Sequence, residues 1–88
     1  MKALYRKAFL KDLRALRDQS LRERVWAVIE AVKAASHTSD IGALRPIQGR
    51  DTAYRVRVGD FRIGLYIEDG VATFVRCLHR RDIYRYFP

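Results

Sequence analysis

The amino-acid sequence predicts an α+β fold: an N-terminal helical hairpin packed on a mainly antiparallel β-sheet, closed by a short C-terminal helix. Three observations carry this. Apolar residues recur at helical spacing through residues 6–35. Three later runs, Ala53–Val58, Phe61–Ile67 and Val71–Leu78, read as strands, the first two alternating apolar and polar. Tight-turn residues, Gly59-Asp60 and Glu68-Asp69-Gly70, separate those runs. Eighty-eight residues are read as one domain, 1–88, since a second core would not fit.

Taken in order, Met1 to Tyr5 reads as a short first strand. From Arg6 the period turns helical, with Phe9, Leu13 and Leu16 on one face and Leu10 alongside. "RDQS" breaks this helix. Ser20-Leu21-Arg22-Glu23 then has the form of a capping box, with Ser20 as the cap. The second helix places Leu21, Val25, Val28, Ile29 and Val32 on a stripe, with Trp26 beside it as a core residue, and fades at "ASHTSD". Ile41–Asp51 reads as a connection, in which Pro46 and Gly49 forbid a long regular element. Tyr54, Val56, Val58, Phe61, Ile63 and Leu65 form the sheet face on which the helices rest. "RRDIYRYF" closes the chain as a helical turn or two.

The composition is globular, 49% apolar and 32% charged. No apolar run reaches the ~18 residues needed to cross a membrane. The N-terminal segment is too charged for a signal peptide, and Cys77, the only cysteine, has no internal disulfide partner. Together these predict a cytoplasmic protein with no membrane partner. No cluster of metal ligands and no glycine-rich phosphate loop is present, so neither metal nor cofactor is expected. His37 reads as an exposed loop residue and Cys77 as a small core or edge residue.

The net charge of +8, from 18 basic and 10 acidic residues, points to a polyanionic partner. Every basic residue after Lys33 is an arginine, the side chain that grips phosphate with two hydrogen bonds. In "YRVRVGDFRI" the apolar side chains alternate with Arg55, Arg57 and Arg62. A two-residue turn at Gly59-Asp60 sets Arg57 directly opposite Arg62, a like-charge pair that costs stability. A solvated sheet face ordinarily mixes signs. Three arginines there without a carboxylate read as an anion-binding face. The third strand leads into "CLHRRDIYRYFP", where His79, Arg80, Tyr84 and Tyr86 follow one another. Histidine supplies acid–base chemistry near neutral pH, an arginine stabilises charge developing on phosphate, and a tyrosine stacks on a base or moves a proton. The register of the third strand, and with it the face of Arg76, stays open.

These residues resemble the RelE/ParE superfamily of type II toxin–antitoxin toxins. The resemblance spans essentially the whole chain and is most specific in "YRVRVGDFRI" and "LHRRDIYRYF". It implies a RelE-like, microbial-ribonuclease-like fold. It also implies a ribosome-dependent mRNA endoribonuclease, an mRNA interferase that blocks translation by 2′-hydroxyl attack on the adjacent phosphate without metal. Carried over by position, Arg62, Arg80, His79, Tyr84 and Tyr86 become the catalytic candidates. Either His79 or one of the two tyrosines moves the proton. Arg55, Arg57, Arg76 and Arg81 become the RNA or phosphate contacts. The spacing from Arg80 to the tyrosines departs from the RelE type, and "ALRPIQG" lacks the carboxylate base of some relatives. The implied partners are a cognate acidic antitoxin, the ribosome with its mRNA, and operator DNA reached through the antitoxin. ParE-like gyrase inhibition and an inactive, antitoxin-bound nucleic-acid-binding module are the alternatives.

Overall fold

The computed structural model describes residues 1–88. The chain runs β1 (Lys2–Tyr5), α1 (Lys7–Ala15), α2 (Gln19–Ala34), a 3-10 turn (Thr38–Asp40), β2 (Leu44–Pro46), β3 (Ala53–Val58), β4 (Phe61–Glu68), β5 (Val71–His79) and α3 (Ile83–Tyr86). The strands form one sheet in the order β1-β5-β4-β3-β2. All its pairs are antiparallel except β1 with β5. No helix is long and apolar enough to cross a membrane.

The helical stripe of the sequence is the buried one. Phe9 and Leu16 of the α1 segment and Val25, Ile29 and Val32 of α2 are buried with Val56, Val58, Ile63, Leu65, Phe74 and Cys77. Each such side chain taken from water contributes roughly 1.5–3 kcal/mol before chain entropy is charged against it. Two details differ from the sequence reading. The cap of α2 is Asp18, whose Oδ1 accepts the Leu21 N–H at 3.1 Å, so the helix starts one residue before Ser20. A carboxylate at that end also faces the positive pole of the helix dipole. Trp26 is 51% exposed. It follows Val25 by one residue, about 100° round the helix, so with Val25 and Ile29 aimed at the sheet it turns outward.

β1 covers the edge of β5 only from Val71 to Phe74. Beyond that an extra residue enters β5 opposite Gly64 and Leu65, and α1 lies against the strand. Buried Asp12 serves this exposed edge: its Oδ2 accepts the Cys77 N–H at 3.0 Å and Arg76 Nε at 2.8 Å, and its Oδ1 accepts Arg76 Nη2 at 3.1 Å. The carboxylate thereby satisfies a strand N–H and pairs its own charge, the two conditions burial imposes.

The second sheet face is not bare. Ile83 and Phe87 bury against Ala53, with Ile47, Tyr66, Val75 and Leu78 packed around them. This small second core was invisible in the alternation of the strands. It folds α3 back over the sheet and leaves the arginine-bearing end uncovered.

Candidate functional site

The β3–β4 turn is the origin of the site. Gly59 takes φ 59°, the left-handed value a tight hairpin turn requires at this position. Val58 then pairs with Phe61, and Arg57 sits opposite Arg62 as the spacing predicts. Arg55 lies one pleat along the same face, opposite Gly64. The register also places Arg45, in β2, directly opposite Arg55. Sequence reasoning missed Arg45 because a three-residue strand containing Pro46 has no detectable alternation.

Arg62 is the centre of this group. Its Nη1 donates to the carbonyls of Gly59 and Phe61, each at 2.8 Å, which folds the guanidinium back over the turn. Burial first, then the charges of Arg57, Arg55 and Arg80, pull its pKa below the ordinary value, while Tyr84 acts the other way. Arg45, Arg55, Arg57 and Arg62 have no carboxylate ion-paired to them. The result is a concentrated positive field with unfilled hydrogen-bond donors, suited to a polyanion.

Arg80 joins the group through the turn. Its N–H donates to the Asp60 carbonyl at 2.7 Å, and its Nε stands 3.8 Å from Asp60 Oδ1. The long Arg80–Asp60 contact leaves the guanidinium exposed. Tyr84, on α3, is 57% exposed and close enough to act on the Arg62 charge. Arg55, Arg57 and Arg62 thus share one face, with Arg80 held beside the turn that carries two of them.

The remaining candidates lie elsewhere. His79 pairs with Phe61, on the helix-facing side of the sheet, and meets its ring edge-on at 5.7 Å between centroids. His79 Nδ1 accepts the Arg81 N–H at 3.1 Å, so the imidazole is anchored to the chain turn. Arg81 itself is exposed. Arg76 is ion-paired with Asp12, and the hydrogen bond to that carboxylate raises its pKa. Its guanidinium also lies 4.8 Å from the centre of the Tyr86 ring, tying α3 to the strand. Arg76 and Tyr86 thus hold each other. Cys77 is buried, and burial, with the Asp12 carboxylate nearby, pushes its thiol up to about 12. His, Cys, Asp and Glu side chains nowhere gather in threes as metal ligands.

The site is thus a basic sheet face beside a folded-back C-terminal helix, and comparison with known proteins gives its class. Residues 3–84 match the family model described as the ParE toxin of the type II toxin–antitoxin system parDE. The chain is 37% identical over 89 residues to the toxin RelE3 of Methanocaldococcus jannaschii, covering 100% of both. It superposes on the RelB–RelE antitoxin–toxin complex from Methanococcus jannaschii with a TM-score of 0.80 at 34% identity, covering 97% of this chain and 99% of that one. The archaeal RelE–RelB complex from Pyrococcus horikoshii OT3 shares the fold, with a TM-score of 0.72 at 18% identity, covering 90% of this chain and 93% of that one. The chain belongs to the RelE/ParE superfamily of type II toxin–antitoxin toxins.

Proposed function

We propose that this toxin is a ribosome-dependent mRNA endoribonuclease. The observation that carries the reading is the row of Arg55, Arg57 and Arg62 on one sheet face, with Arg80 held at the adjoining turn and no carboxylate ion-paired to the row. In the proposed reaction the 2′-oxygen of a ribose gives up its proton and bonds to the adjacent phosphorus. The bond from phosphorus to the 5′-oxygen breaks, and that oxygen takes up a proton. Arg57 holds the scissile phosphate and Arg55, one pleat along, its neighbour; Arg62 and Arg80 offset the charge that builds on the phosphate oxygens, and Tyr84 is the nearby group that moves the proton. The face is open, so the ribosome and the bound mRNA complete the walls of the site. The partner that silences it is an acidic antitoxin matched to the net charge of +8, and a RelB partner in the complexes of similar toxins supports that pairing.

A ParE-like action on DNA gyrase is the second reading, favoured by the description of the family model that matches residues 3–84. Two measurements separate them: mapping of mRNA 5′ ends after induction of the toxin, and gyrase supercoiling in vitro. New 5′ ends within translated messages and undisturbed supercoiling are the expected pair. Inhibited supercoiling with intact messages would replace the first reading by the second.

A further inference from the structure

Arg45 stands at the far end of the arginine row from Arg62, yet it repeats that residue's geometry. Arg62 Nη1 donates to the carbonyls of Gly59 and Phe61, three residues and one residue before it. Arg45 Nη1 donates in the same way to Gly42 at 2.7 Å and Leu44 at 2.9 Å. Each guanidinium is thus tethered by one nitrogen to the turn preceding its strand, with Nε and the other terminal nitrogen left to donate. Each also faces an arginine of β3, Arg62 opposite Arg57 and Arg45 opposite Arg55. Ala43, Arg45, Arg55 and Arg57 line one shallow concavity of about 220 Å³. No carboxylate is ion-paired to any of them.

Two like-charged pairs set side by side each cost stability, and the tether reduces the side-chain entropy lost when an anion is gripped. Arg55 and Arg57 are two residues apart on one strand and their partners lie on opposite sides of it, so the centres of the pairs are offset by about 7 Å along the strand and about 4.8 Å across it, roughly 8 Å in all. That step is comparable to the distance between successive phosphates of an extended single strand. We propose that Arg45 and Arg55 form a second phosphate subsite, which holds the RNA phosphate next to the one gripped by Arg57 and Arg62. The inference rests on the ribonuclease reading for its choice of RNA, and its geometry is independent of cleavage.

The test uses the whole protein and 2′-O-methyl RNA, which cannot be cleaved, as a dinucleotide with one phosphate and a trinucleotide with two. Binding is followed by NMR or anisotropy at several salt concentrations. Arg45→Ala is expected to weaken trinucleotide binding about three- to tenfold and to lower the salt slope by about 0.7. Dinucleotide binding should stay unchanged. Arg45→Lys should keep the slope, because the charge remains, and recover only part of the affinity. Equal trinucleotide affinity and slope for wild type and Arg45→Ala would overturn the subsite. So would an equal loss for both ligands, since Arg45 would then belong to the first grip. Failure of the enzymatic reading looks different: wild type would leave ribosome-bound mRNA intact while the two-phosphate discrimination persisted.

Discussion

Phe87 occupies the space that a side chain at Gly64 would need. A Cβ built on Gly64 would stand 2.5 Å from Phe87 Cδ2 and 2.6 Å from Cγ, and Phe87 is almost fully buried. This notch in the middle of β4 seats the C-terminal segment, and with it α3, on the sheet. Gly64→Ala should therefore cost about 1–3 kcal/mol by overpacking, seen as a lowered denaturant midpoint. Activity should fall further than stability explains, because Tyr84 loses its support. An unchanged midpoint would mean that Phe87 yields at no cost.

Asp12 joins α1 to the open edge of β5. Asp12→Ala leaves Arg76 without its carboxylate and the Cys77 N–H without an acceptor, and should destabilise the fold by about 3 kcal/mol. Arg76 is partly exposed and can reach water, which keeps the value at the low end of that for buried pairs. Chemical denaturation measures it. A loss below about 0.5 kcal/mol, the level of an ordinary surface change, would show that the ion pair contributes nothing beyond solvation.

Asp18 and Ser20 separate two accounts of how α2 begins. Asp18→Ala removes the acceptor of the Leu21 N–H and should cost about 1 kcal/mol. Ser20→Ala lies inside the helix and should change stability by less than about 0.5 kcal/mol. Matched thermal melts distinguish the pair, and the reverse order would restore Ser20 as the cap.

The proposed chemistry makes a graded forecast on programmed ribosomes. Arg80→Ala should lower the cleavage rate about a hundred- to a thousandfold, and Tyr84→Phe by about a hundredfold or more. Tyr86→Phe and His79→Gln should retain most activity, since Tyr86 is engaged with Arg76 and His79 faces the helices. Arg57→Ala and Arg62→Ala should abolish cleavage without loss of the cooperative thermal transition, because each relieves a like-charge pair. Wild-type rates in Tyr84→Phe, with His79→Gln inactive, would move the proton transfer to His79.

Cys77 imposes a pH dependence on stability. Its thiol is raised from 9.0 to about 12 in the fold, so the folded chain keeps a proton that the unfolded chain releases. The stabilisation is complete below about pH 9 and is lost as pH rises toward 12. The slope from this group can reach about 1.4 kcal/mol per pH unit. Comparison with Cys77→Ala isolates it from tyrosine and lysine titration. Parallel pH profiles for the two proteins would show that the thiol ionises as freely in the fold as outside it.

Local pattern determined much of this protein. The apolar stripe from Phe9 to Val32 and the alternation from Tyr54 to Ile63 specify which faces meet, because side-chain direction in helices and strands follows the backbone period. Gly59-Asp60 specified the register, and with it the opposition of Arg57 and Arg62. Tertiary structure decided what periodicity does not encode. The face of Arg76 depended on an extra residue in β5, and its carboxylate partner lies 64 positions away on α1. Arg45 entered the arginine row only through pairing of a strand too short to show a pattern. Tyr84 and Tyr86, two residues apart, were equivalent in sequence. The notch at Gly64 and the Arg76 guanidinium separate them, since which side of a one-turn helix meets the site is set by what that helix packs against.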